Sequence, residues 1–137
     1  MTESTKIEFR YRHMSQVRDL VDLAVILFPR NRNQQHAAAC ILFELKWANG
    51  IVPNLAYMEG CYRLSRRTLQ RARAKLARLG LIEHVSCFNA RYGGQEGWKL
   101  SGRFSGSLRQ LAEMTDRWRD DRGADQRKRD AALLGLP

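Results

Sequence analysis

From Leu64 to Ile82 the chain reads L-S-R-R-T-L-Q-R-A-R-A-K-L-A-R-L-G-L-I, and this run constrains the fold more than any other. Leu69, Ala72, Leu76 and Leu79 recur at steps of three and four, the spacing that lines side chains up on one face of a helix. Ser65 is a good N-cap just before the first periodic residue, and Gly80 supplies the stop. The same stretch carries six basic residues, Arg66, Arg67, Arg71, Arg73, Lys75 and Arg78, and no acid. One face therefore buries in a small core while the rest presents positive charge without an acidic neighbour one turn away. A helix entering the major groove of DNA needs that combination. The plainer alternative is a solvated basic face on an ordinary amphipathic helix.

At about 100° per residue, the side opposite the leucines holds Arg67, Gln70, Arg71, Ala74 and Arg78. Arg and Gln make bidentate contacts to guanine and adenine edges, and the small Ala74 lets the helix axis approach the groove floor. Arg67, Gln70, Arg71 and Ala74 are thus the expected base-contacting set. Ser65, Arg66, Thr68, Arg73, Lys75 and Arg78 are expected at phosphate oxygens, which fix register without reading sequence.

The charge balance agrees with a polyanionic partner. The formal net charge is +10 in 137 residues, with a sequence pI near 10.3. From Glu113 onward six acids balance six bases, so the whole excess lies in residues 1–112. A basic protein also suits a membrane surface, but the longest apolar runs, such as Leu23 to Phe28, fall far short of the ~18 residues a span needs. Met1 to Lys6 is polar and lacks a signal pattern. The expectation is a soluble cytoplasmic protein associated with the nucleoid.

Nothing in the residues asks for catalysis, a cofactor or a metal. Cys40, Cys61 and Cys87 are odd in number and widely spaced, with no C-x-x-C pair and no His at ligand spacing. Cys40 lies in an apolar helical run and reads as a small core residue. His13, His36 and His84 are scattered, with no Ser, Cys or carboxylate at a catalytic spacing. The stretch Gly93-Gly94-Gln95-Glu96-Gly97 lacks the Lys-Ser/Thr of a phosphate loop and reads as a turn.

Around the basic helix the pattern predicts the following order. Lys6 to Arg12 alternates polar and apolar, as a half-buried edge strand does. A helix capped near Ser15 and stopped by Pro29 turns Val17, Leu20, Val21, Ala24, Leu27 and Phe28 inward. A second helix from about Gln34 to Trp47, ended by Asn49-Gly50, is apolar almost all round and is expected to be central. A short helix from Leu55 to Cys61 leads through Tyr62-Arg63-Leu64 into the basic helix. Ile82 to Phe88 and Trp98 to Phe104 have strand character across a turn-rich link whose tip is Arg91. Ser107 caps a further helix with Leu108, Leu111, Ala112, Thr115 and Trp118 in one stripe, widened by Met114; it either packs back or makes a dimer contact. Asp125 to Leu134 reads as a loosely held helix or frayed tail.

Residues 34–104, and most closely Leu64 to Ile82 with its L-S-x-x-T-L and L-x-x-L-G-L-I, resemble the winged helix-turn-helix family of prokaryotic, plasmid and phage proteins. The expected fold is mainly α with a small β component. A strand and helix extension (1–33) precedes the winged domain (34–104), and a C-terminal helix with a charged tail (105–137) follows it. The resemblance implies that the helix from Arg66 is the recognition helix, that Leu55 to Cys61 supports it, and that Arg91 at the wing tip touches an adjacent groove or backbone. It implies sequence-specific binding of double-stranded DNA by a transcriptional regulator. A plasmid or phage replication-initiation or partition protein, or a winged-helix protein-interaction module, are the alternatives. Homodimerisation is expected through the N-terminal segment or the 107–122 helix. The family often carries Gly just before the Leu-Ser pair; Arg63 stands there, and a differently shaped turn is expected. RNA or single-stranded DNA would call for exposed aromatics, for which Tyr62 and Tyr92 are the candidates.

Overall fold

The computed structural model of the chain describes residues 5–86 and 93–137. The described residues are mainly helical, with one two-stranded antiparallel sheet. The chain divides into two units, Met1–Phe104 and Ser105–Pro137.

In the first unit, α1 (Tyr11–Met14) is a single turn and α2 (Leu20–Leu27) the first helix with buried residues. Asp19 caps α2 by accepting from the Asp22 amide at 2.8 Å, and Pro29, with no N–H to donate, ends it one residue past the Phe28 cap. In α3 (Arg32–Trp47) the cap is Asn31, which accepts from the Gln34 amide at 3.1 Å. The Gln35 side chain donates to the Phe28 carbonyl at 2.8 Å and ties the two helices together at the turn. Then come α4 (Met58–Cys61), α5 (Arg66–Leu79), β1 (Ile82–Val85) and β2 (Gly97–Leu100).

The core is one cluster centred on α3, which packs against α2 on one side and α5 on another, and also meets β2. Ala37, Ala38 and Ala72 are fully buried, small side chains within the cluster that α3 and α5 share. Around them close Leu27, Phe28, Ile41, Leu45, Leu55, Met58, Leu69, Leu76 and Ile82. A bundle of this kind, fixed by apolar periodicity, places α5 by its leucine stripe and leaves the opposite face outward.

The hairpin pairs Ile82 with Leu100, Glu83 with Lys99, His84 with Trp98 and Val85 with Gly97. Its second strand is pinned on the far side by an isolated bridge: Val52 donates to the Trp98 carbonyl at 2.9 Å and Trp98 to the Val52 carbonyl at 2.8 Å. Gly97, at φ 151°, makes that approach feasible, since a Cβ there would stand 2.2 Å from the Val52 oxygen. The turn-rich reading of Gly93 to Gly97 missed this role for its last residue.

Several elements depart from expectation. Lys6 to Arg12 is not a strand: Glu8 N–H ties it to the Ile26 carbonyl of α2 at 2.8 Å, and the chain coils into α1 from Tyr11. Of its apolar residues Ile7 alone packs on the core, while Phe9 and Tyr11 are exposed, so the alternation has no buried face to serve. Ser15 closes α1 instead of opening a long helix, and α2 begins at Leu20. The supporting helix starts at Met58, not Leu55, although Leu55 is fully buried. Residues 5–33 belong to the same unit as the rest of 1–104, because α2 is part of the shared core. On α3, Phe43 and Trp47 are exposed, so that helix is covered on fewer sides than its composition suggests. β2 ends at Leu100, and Phe104 already belongs to α6 (Arg103–Asp120).

The second unit holds most of α6 and α7 (Ala124–Leu133). Neither helix has a buried residue, and Leu111, Met114 and Trp118 on α6 are exposed.

Candidate nucleic-acid interface

The basic helix forms as its sequence dictates. Ser65, in an extended conformation, accepts the Thr68 amide at 3.1 Å and donates its own proton to Thr68 Oγ1 at 2.8 Å. Gly80, at φ 90°, takes the left-handed conformation and returns its amide to Leu76 and Ala77. Leu69, Ala72 and Leu76 are buried, as the stripe requires.

Opposite the stripe, Arg67, Gln70 and Arg78 are exposed, and Arg71 and Ala74 are half-buried. The four expected base-contacting residues thus share one accessible side of a 14-residue helix without an acid in it. Arg66 is exposed at the first turn. Ser65 and Thr68 spend one hydrogen bond on each other. Arg91 lies outside the described residues, as does Tyr92.

Two of the residues expected at phosphates do something else. Lys75 is 5% exposed: its Nζ donates to the Lys6 carbonyl at 2.7 Å and sits 4.7 Å from the centroid of the Phe28 ring. Burial lowers the pKa of this amine from its ordinary value. Lys75 is therefore buried where a phosphate contact was expected, and its ammonium joins α5 to the N-terminal segment. On the other flank, the Arg73 guanidinium lies 5.0 Å from the centroid of Trp98, which in turn meets the His84 ring edge-on at 4.9 Å. Arg73 is half-buried and braces α5 against the hairpin. The two flanks of α5 are thus struts, and they fix its roll about its own axis.

The hairpin base is further set by Glu83, which pairs with Lys99 at 3.1 Å and with Arg103 at 3.7 Å. Tyr62 is no stacking platform: its hydroxyl donates to Glu44 Oε1 at 3.0 Å, and burial together with that carboxylate pushes its pKa up to about 12. Cys40 is buried, with its Sγ 3.7 Å from His36 Nε2, and burial raises its thiol pKa. Among the described residues no group of three or more His, Cys, Asp or Glu is placed to hold a metal ion, and no helix is long and apolar enough to cross a membrane.

The turn into α5 holds Arg63, the residue at which the sequence departs from the family's glycine. Arg63, where glycine was the expected residue, itself adopts the left-handed conformation at φ 53°. Leu64 donates to the Glu59 carbonyl at 3.1 Å and Tyr62 to Met58 at 3.0 Å, closing the end of α4 around it. The missing glycine was the signal available in the sequence.

Comparison of the chain with protein-family models, with curated proteins and with solved structures finds no match.

Proposed function

We propose that this chain is a sequence-specific double-stranded DNA-binding protein, built as a winged helix-turn-helix over residues 34–104 and acting as a transcriptional regulator. The observation that carries the reading is the accessible side of α5: Arg67, Gln70, Arg71 and Ala74 together, on a helix with six bases and no acid. In this reading Arg67, Gln70 and Arg71 contact base edges while Arg66, Thr68 and Arg78 meet phosphates. Arg73 and Lys75 hold the helix at the correct roll, and the hairpin supplies the wing. Binding is driven by counterion release and falls steeply with salt.

A protein-interaction module would present apolar or mixed residues on this face in place of Arg67, Gln70 and Arg71. The exposed stripe of Leu111, Met114 and Trp118 on α6 supports self-association through that helix, which would match the protein to a palindromic site.

The test is selection from a random duplex library at two salt concentrations, followed by the triple substitution of Arg67, Gln70 and Arg71 with Ala. Enrichment of a motif by the wild type, lost in a folded triple variant, supports the reading. Each lost bidentate contact should remove ~1–3 kcal/mol of discrimination. No binding at low salt would refute it.

A further inference from the structure

Arg30 (φ 64°) and Arg63 (φ 53°) are the two non-glycine residues with positive φ among the described residues, and both are exposed arginines in turns. A Cβ is crowded in that conformation, so glycine is the residue that relaxes it. The α4–α5 turn has little choice of geometry. Leu64 is buried in the core, the Tyr62 hydroxyl is held by Glu44, and the Leu64 amide is held by Glu59. Whatever residue stands at 63 must take the left-handed conformation.

Arg63 returns nothing to the fold for this strain. It is exposed, and among the described residues its side chain makes no hydrogen bond or ion pair. Strain that persists without an internal partner points outward, to something the residue touches when the molecule is at work. Arg63 stands two residues before the cap of α5 and three and four residues before Arg66 and Arg67. A guanidinium with all its donors available, on a backbone locked by the turn, suits a phosphate group.

We propose that Arg63 anchors a backbone phosphate of the bound duplex at the α4–α5 turn. It acts as a positioning residue that sets how deeply α5 enters the groove, without reading bases. This inference rests on the DNA-binding reading above.

The deciding experiment measures melting temperature and duplex affinity for Arg63→Gly, Arg63→Lys and Arg30→Gly. Affinity is followed by fluorescence anisotropy across a salt series, on the selected duplex and on a scrambled one. Arg63→Gly should raise Tm by about 2–5 °C, since relief of strain exceeds the entropy that glycine adds to the unfolded chain. The same variant should bind both duplexes roughly three- to fivefold more weakly, and its log–log salt slope should fall by about 0.9, one phosphate's worth. A variant that is more stable and yet binds less well separates an external role from a structural one. Arg63→Lys should keep the slope without the gain in Tm. Arg30→Gly should gain Tm and keep wild-type affinity.

Unchanged affinity and slope in Arg63→Gly would overturn the inference and leave the DNA-binding reading standing. So would a loss confined to the selected duplex, which would make Arg63 a base reader, or an equal loss in Arg30→Gly, which would reduce the effect to bulk charge. Failure of the wild type to bind any duplex would remove both readings together.

Discussion

Gly97→Ala tests whether the hairpin is anchored as described. A Cβ at position 97 would lie 2.2 Å from the Val52 oxygen and 2.7 Å from both Ile51 Cγ2 and Pro53 Cα. Reaching ordinary contact at 3.4 Å means opening the gap to Val52 by 1.2 Å. That displacement carries the two bridge hydrogen bonds, 2.8 and 2.9 Å long, beyond useful range. Two such bonds contribute about 1–3 kcal/mol together. Holding alanine at φ 151° costs another ~1–3 kcal/mol, and the reduced entropy of the unfolded chain offsets ~0.4–1 kcal/mol. The net loss is about 1–5 kcal/mol, centred on ~3, a Tm drop on the order of 10–20 °C at that centre for a unit of this size. Urea denaturation followed by circular dichroism gives the free energy, and hydrogen exchange at the Val52 and Trp98 amides locates it. Gly102→Ala, where nothing stands within 4 Å of the new methyl and φ is not positive, should cost under about 0.5 kcal/mol. A loss below about 1 kcal/mol in Gly97→Ala, with both amides still protected, would refute the anchoring.

Three further outcomes follow from the same geometry. Lys75→Met keeps an unbranched chain against Phe28 and removes the buried ammonium. Because the folded amine titrates below its ordinary 10.5, the folded state binds fewer protons than the unfolded one between those two values, so wild-type stability should rise with pH across that window. Lys75→Met should lack that rise in pH-dependent melts, and an identical profile in the two proteins would show that Lys75 is not the titrating group. Ser65→Ala removes the cap of α5 and should cost about 1 kcal/mol in thermal unfolding; no change would mean another group satisfies the Thr68 amide. Replacing Leu111 and Trp118 with Glu should shift a self-associated protein to monomer in sedimentation without loss of helix content, whereas a monomeric wild type would exclude α6 as an interface.

The basic helix was legible from the sequence because every one of its determinants is local. Cap, stripe, stop and charge all fall between Ser65 and Gly80, and the structure keeps each in place. The roles of Lys75 and Arg73 were half legible. At ~100° per residue each lies about 80° from the centre of the leucine stripe, one on either side, which marks a border of the core rather than open surface. Their partners, the Lys6 carbonyl and Trp98, are far off in sequence and leave no local signature. The Lys6 to Arg12 alternation misled for a related reason. Alternation makes a strand only where a neighbour supplies a ladder and a buried face, and this segment was given one tie to Ile26 and little burial. Gly97 was visible as a turn former, but the close approach of Val52 that requires it is a tertiary fact.

The charge that suits α5 to a polyanion acts against the fold that carries it. Arg67 and Arg71 stand one turn apart, as do Arg71 and Lys75, and like charges at that spacing each destabilise a helix by about 0.2–0.5 kcal/mol. Of the formal +10, +9 sits in residues 1–104, which adds self-repulsion across the first unit. Exposed repulsion is screened as the Debye length falls from about 10 Å at 0.1 M salt to about 3 Å at 1 M. The buried Lys75 ammonium, held by a carbonyl and a ring and not by surface charge, is screened much less. Raising sodium chloride from 0.1 to 0.5 M should therefore stabilise the first unit, by on the order of 1 kcal/mol if several such pairs relax together. The same change should weaken duplex binding by orders of magnitude through counterion release. Opposite signs for stability and affinity over one salt series would mean that repulsion outweighs attraction within the free protein and is relieved when a polyanion binds. A melting temperature that falls with salt would mean that attraction already dominates within the molecule, and α5 would then have no surplus charge to offer a duplex.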